Sequence, residues 1–213
     1  MEVDLHIHSR FSVDSMSEPK EIAKRAAYLG LGAIAVTDHG TLDGARAVAR
    51  LAPASLLVVP GMELRTDKGD LLALFIESEV KSTGLGPAID EIRSQGGVAI
   101  VPHPGASRKM TSEDIASADG LEVFNSRLRK GYNAASKDLG AVLGLPGFSS
   151  SDAHLIMEIG NGTTSVAEAA TLEELRKVVL KTPKVSKTVS SNAFVHTANS
   201  TLLFLIKGVW RRL

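Results

Sequence analysis

Nine side chains able to hold a cation are spread along this chain: His6, His8, Asp14, His39, Glu63, Asp70, His103, Asp152 and His154. The chain has six histidines, and five of them stand at or just past the end of a strand-like run. His6 and His8 close VDLHIH, His39 follows AIAVTD, His103 follows VAIVP and His154 follows FSSSDA. A lone histidine at a strand end is an ordinary hydrogen-bonding residue. Five in equivalent positions, interleaved with carboxylates, call for a shared cause. There is no cysteine, so thiolate sites and disulfides are excluded, and any metal must be held by imidazole and carboxylate. That donor set suits Zn, Mn or Fe better than a cage built for Ca or Mg alone. The candidates outnumber the four ligands of a structural zinc site, which points to two or three divalent metal ions sharing carboxylates and a hydroxide. Such a cluster fits hydrolysis. It lowers the pKa of bound water and holds the attacking and leaving oxygens of a phosphoryl transfer.

These residues need a scaffold that brings several strand ends to one rim. In DLHIHS, alternation predicts Val3, Leu5 and Ile7 on one face and Asp4, His6 and His8 on the other. Taken alone, that stretch fits an edge strand with a wet polar face as well as a metal site. SEPKEIAKRAAYLG then reads as a helix, with Ser17 as cap candidate, Pro19 in the first turn and Gly30 as its stop. Further apolar runs (AIAV, LLVVPGMEL, LLALFI, VAIVPH, GLEVFN, LPGFSSSDAH) alternate with helical TLDGARAVARLA, IDEIRSQGG, SEDIASA, YNAASKDLGAVLG and LEELRKVVLK. This alternation predicts an α/β fold with a mainly parallel sheet. No Gly-x-Gly-x-x-Gly follows the first strand and there is no Walker loop, which argues against nucleotide-binding doubly wound folds. A (β/α) barrel, complete or distorted, fits best, because it gathers chemistry at the C-terminal ends of its strands.

The composition of the 213 residues, 44% hydrophobic and 23% charged, is that of a globular protein with a sizeable core. No low-complexity linker divides the chain. Lys+Arg and Asp+Glu number 24 each, so no general electrostatic attraction to nucleic acid is expected, and a local basic patch is left open. The N-terminus is acidic and strand-like rather than a signal peptide, and no apolar run reaches the roughly 18 residues of a membrane span. A cytoplasmic protein without a transmembrane segment is expected.

DLHIHS, TDHG, GMEL, VPHP and SSDAH, in this order, resemble the motifs of the polymerase and histidinol phosphatase (PHP) family. The likeness runs from about Asp4 to His154 and more weakly to about Leu180. It implies a distorted, TIM-like (β/α)7 barrel over residues 1–190, with a trinuclear metal centre that cleaves phosphate esters. It also implies ligand sets: His6, His8, Glu63 and Asp152 for one metal, a bridging Glu63 with His103 for the second, and Asp14, His39 and His154 for the third. Where members often carry histidine, this chain has Asp70 before LLALF and Asp14 six residues after the His-x-His pair. Both can ligate, although Asp70 fits a solvated turn in KGD equally well. Glu63, Asp152 and His154 are the residues expected to carry catalysis.

Other residues have weaker claims. Asp38 beside His39 reads as an orienter of an imidazole rather than a ligand. Arg108, Arg127 and Asn125 follow strand ends and are candidate substrate contacts, though arginines commonly sit in solvent and Asn125 could serve a loop. The tail, residues 191–213, reads as a basic amphipathic helix that covers the barrel, meets another subunit or lies on a membrane surface; His196 within it is not expected to ligate. The leading expectation is a metal-dependent phosphoesterase, acting through a metal-bridging hydroxide on a small phosphorylated metabolite or nucleotide, with homo-oligomerisation left open. The alternatives are an amidohydrolase-type enzyme on the same cluster, or a non-catalytic RNA-binding or scaffolding subunit that would have lost ligands.

Overall fold

The computed structural model describes residues 1–107 and 109–192. Arg108, His196 and nearly all of the expected tail helix lie outside the described residues. In chain order the elements are β1 (Glu2–Ile7), α1 (Pro19–Tyr28), β2 (Ala33–Val36), α2 (Asp43–Ala49), β3 (Leu57–Arg65), β4 (Asp70–Leu74), α3 (Leu85–Ser94), β5 (Val98–Val101), α4 (Ser112–Ala116), β6 (Gly120–Asn125), α5 (Lys130–Leu143), β7 (Gly147–Ser150), β8 (Gly162–Ser165), α6 (Leu172–Val178) and β9 (Lys184–Thr188). Local chemistry sets several boundaries. Pro19 opens α1, which buries Ile22, Ala23 and Ala26 at helical spacing, and Gly30 beyond its end takes a φ of 70°. Ser17 does not cap this helix; its hydroxyl donates instead to the carbonyl of His154.

The strands form one sheet in the order β7-β6-β5-β4-β3-β2-β1-β8-β9. β1, β2 and β3 run parallel, as do β5, β6 and β7. β4 lies antiparallel to both β3 and β5. Its reversal follows from chain length: residues 66–69 are all that joins β3 to β4, and a parallel crossover needs a dozen residues or more. Just past β7, Ala153 bridges in parallel to Ile7, and His8 N–H donates to the Ala153 carbonyl at 2.8 Å. The seventh strand thus returns to the first, and the sheet becomes a nearly closed, distorted seven-stranded barrel. At the other end of β1, Glu2 and Val3 pair antiparallel with β8, and β9 extends that side.

Side chains from six strands of the ring, among them Val3, Leu5, Val59, Leu72, Leu74, Val98, Ile100 and Phe148, pack together with Leu175 and Val179 at the α6 end. This is the barrel interior. Two further clusters lie outside the ring: Ile7, Ile34, Val36 and Val58 against α1 and α2, and Leu71, Ala99 and Leu121 among residues of α3 and α4. Each fully buried Leu, Ile or Phe in these layers contributes about 1.5–3 kcal/mol by leaving water.

Candidate metal centre

A register shift in the β1–β2 pairing, between Asp4 and Ile7, places one extra residue in β1. The bulge re-aims the strand. Val3 and Leu5 face the interior, whereas Ile7 packs outside with the α1 and α2 cluster, so the expected common face for all three is not formed. His6 and His8 turn inward above Leu5. Asp4 parts from them, accepting the N–H groups of Ser151 at 3.0 Å and Gly160 at 2.9 Å. Burial pushes its carboxyl up to about 6 against the lowering effect of those bonds.

The inward histidines meet acids from across the barrel. His6 Nε2 and His8 Nε2 are 3.1 Å apart, and both lie 3.3–3.5 Å from Glu63 Oε2 and Asp152 Oδ1. Ligands that share a metal at about 2.0–2.1 Å stand roughly 3.3 Å apart in tetrahedral geometry. Glu63 Oε2 is also 3.3 Å from His39 Nδ1, and its other oxygen is 3.3 Å from His103 Nε2. One carboxylate therefore faces four imidazoles. Among the described residues, donor atoms within 4.8 Å of one another fall into three sets: His6, His8 and Glu63; Glu63, Asp70 and His103; and His8, Asp14, His39 and His154. In the last, Asp14 Oδ2 lies 3.1 Å from His39 Nε2 and 3.0 Å from His154 Nε2. Asp70 reaches this rim because β4 runs backwards, which sets its first residue opposite Arg65; the two pair at 3.0 Å.

The backbone is bent to make this possible. His103 (φ 37°) and Asp152 (φ 51°) both occupy the left-handed region, which costs a residue other than glycine about 1–3 kcal/mol unless its surroundings hold it there. Among the described residues, two of the three non-glycine residues with positive φ are thus at the rim.

The electrostatics ask for cations. Burial opposes ionisation of Glu63 and Asp152, yet the charge of His6 and hydrogen bonds from neighbouring imidazoles overcome it and hold both carboxyls well below the usual range. Asp14 is lowered in the same way, against burial, by His154 and His39. His154 is pushed down to about 3 by burial and by His8, which favours the neutral ring, the form that a metal binds. Asp70 is raised by burial and by the charge of Glu63. His8 Nδ1 is buried with no hydrogen-bond partner among the described residues. Imidazole and carboxylate donors at ligand spacing, with an orphaned ring nitrogen, fit divalent metal ions.

The remaining candidates take other places. Asp38 accepts the backbone N–H and the hydroxyl of Ser9 at 2.6 Å each, and so pins the end of β1 rather than an imidazole. Gly44 permits this approach, since a Cβ there would collide with the Asp38 carboxylate. Asn125 is fully buried; its amide donates to Glu122 at 2.8 Å and to Asp152 at 3.3 Å, and its oxygen accepts the Arg127 N–H. Arg127 acts electrostatically on Asp152 and His154, and its Nη1 is buried without a partner among the described residues. Beside Asp70 and His103 opens a recess of about 340 Å³, lined also by Arg65, Lys68 and Lys109. Sequence reasoning missed Glu122. It is fully buried, accepting from His6 Nδ1 at 2.9 Å and from the His103 N–H at 2.9 Å. The one available signal was an acid in the middle of the apolar run GLEVFN.

A nearly closed α/β barrel with a histidine and carboxylate rim defines a class of barrels built to hold metal ions at their strand ends. Comparison with known proteins narrows it: the PHP domain matches residues 4–136 and the PHP-associated domain residues 130–182. The chain belongs to the PHP family. Two uncharacterized proteins of Methanocaldococcus jannaschii are similar to it: one is 36% identical over 62% of this chain and 85% of its own length, the other 30% over 79% and 71%. A PolC-type DNA polymerase III of Thermotoga maritima is 34% identical over 46% of this chain but only 8% of its own. Among solved structures, a two-domain Bacteroides vulgatus protein containing a predicted PHP-like metal-dependent phosphoesterase superposes with a TM-score of 0.76 at 22% identity, over 88% of this chain and 65% of that one. An amidohydrolase from Chromobacterium violaceum with bound sulfate superposes with a TM-score of 0.64 at 17% identity, over 83% and 96%.

Proposed function

We propose that this protein is a metal-dependent hydrolase of phosphate esters, acting on a small phosphorylated metabolite or nucleotide. The observation that carries the reading is Glu63, whose two oxygens face separate sets of imidazoles at ligand spacing. His6, His8, Glu63 and Asp152 would hold one ion, Glu63, His103 and Asp70 a second, and Asp14, His39 and His154 a third, with His8 beside the last. When bound, such ions acidify water and neutralise charge on phosphoryl oxygens. The protein's own groups do the rest. The Nη1 of Arg127, buried and unpartnered among the described residues, would turn outward to a phosphoryl oxygen, through the charge-assisted contact that guanidinium groups favour. Asn125 holds Asp152 in place. The cations of the recess beside His103 draw in an anionic substrate.

The test is metal analysis of the purified protein together with a screen of phosphomonoesters and phosphodiesters. Two or more Zn, Mn or Fe ions per chain, with turnover of one ester class, would support the proposal. Full metal content without hydrolysis of any ester would refute it. The Chromobacterium amidohydrolase, similar in fold, supports a second reading in which the same cluster opens an amide; a parallel amide screen separates the two. A non-catalytic scaffold sits poorly with so complete a ligand set.

A further inference from the structure

Glu122 lies behind the rim, on β6, and its carboxylate reaches two ligand positions that belong to different metal sets. Resting on the metal-centre reading above, we propose that Glu122 is a positioning residue that prepares both sets at once, by fixing the tautomer of His6 and the backbone of His103.

The chemistry follows from what a carboxylate can do. It only accepts, so the 2.9 Å contact between Glu122 Oε1 and His6 Nδ1 requires the proton to be on Nδ1. The nitrogen left to give a lone pair to a metal is then Nε2, which faces His8, Glu63 and Asp152. The other oxygen, Oε2, accepts the His103 N–H at 2.9 Å. His103 has a φ of 37°, a conformation that needs an external hold, and this bond supplies one while its ring reaches Glu63 Oε1. Asn125 Nδ2 donates to the same Oε2 at 2.8 Å and to Asp152 at 3.3 Å, tying the carboxylate to a third ligand. Among the described residues the hydrogen bonds of Glu122 go to His6, His103 and Asn125, and none goes to Asp14, His39 or His154. The third set is therefore a built-in control.

Glu122→Gln keeps the shape and replaces one acceptor by an NH2 donor. Turned toward His6, that NH2 forces the ring proton onto Nε2; turned the other way, it meets the donors of His103 and Asn125. The experiment is Zn titration of chelator-stripped protein against a competing indicator, with the absorption of Co-loaded protein to count sites. Affinity should fall about 10- to 100-fold at the sets containing His6 and His103, the range for losing a partner that orients a ligand. The third set should keep its affinity, and the stripped variant should melt close to stripped wild type. Unchanged loading of all sets, or an equal loss at all three, would overturn the proposal, the latter because it marks a merely structural role. If Glu122→Gln does not fold, Glu122→Asp keeps the charge but shortens the reach, and the same selective loss is expected. A metal-loaded structure in which His6 Nδ1 has left Glu122 would overturn it in any case. Wild-type protein that binds no metals would instead defeat the underlying reading of the site.

Discussion

Glu63→Gln is the perturbation on which the proposed chemistry depends most. The residue is 3% exposed, and its oxygens lie 3.3–3.4 Å from nitrogens of His6, His8, His39 and His103. No other carboxylate of the rim faces so many imidazoles. Glutamine keeps the volume and one carbonyl oxygen but removes the negative charge from between two cation positions. A unit charge about 4 Å from another is worth about 4 kcal/mol at an effective dielectric constant near 20. The retained carbonyl dipole leaves a loss of roughly 2.7–4 kcal/mol, the range found when one preorganised electrostatic group is removed from an active site. Turnover should fall at least ~100-fold, and bound metal by about one equivalent or more. The fold should persist, since Val59 and Leu64 on the same strand stay packed. The assay pairs metal stoichiometry with initial rates on the ester found in the screen, and Asp70→Asn is the comparator. Asp70 faces one cation position rather than two and also pairs with Arg65 at the rim's edge, so its variant should lose less than Glu63→Gln. Full metal content and near-normal turnover in Glu63→Gln would refute the bridging role.

Arg127→Ala should lower kcat/KM for a phosphomonoester by about 10- to 100-fold while leaving metal content intact, because a hydrogen bond to a charged group is worth about 1.5–3 kcal/mol; an unchanged value would mean that the guanidinium does not touch substrate. Chelation should lower the melting temperature, since ions that bind only the folded state stabilise it by about 2.7 kcal/mol at a hundredfold excess over Kd, or roughly 5–10 °C for a chain of this size; scanning calorimetry with and without chelator reads the shift. Phe148→Ala, in a side chain with 0% exposure inside the barrel, should cost about 3–5 kcal/mol in urea unfolding, and a loss below 1 kcal/mol would show that the site collapses freely.

The clustering of these side chains was legible in the sequence because groups that could share cations must converge, and in a barrel convergence puts them at strand ends. His39, His103 and His154 could be recognised from the apolar runs before them. Other features left weaker traces. The bulge in β1 is invisible to a count of alternating residues, since it depends on how β1 pairs with β2 rather than on β1 itself. The reversal of β4 was readable, because four residues cannot support a parallel crossover, but apolar runs alone do not announce direction. β8 (GTTS) and β9 (KVSKT) are polar or exposed, so no hydrophobic period marks them. Glu122 escaped notice because its role is set by partners 116 and 19 residues away.

The seam where Ala153 meets Ile7 has a consequence for the order of assembly. It joins the first strand to the segment that follows the seventh, and the two flanking candidate ligands Asp152 and His154 arrive with it. A chain emerging from the ribosome carries His6 and His8 long before it holds the residues that complete their site, at synthesis rates of about 5–20 residues per second. Contacts this distant in sequence are formed slowly. Barrel closure and completion of the proposed cation site thus become one late event, and a truncated chain ending before Asp152 is left with an open ring and an unfinished rim together.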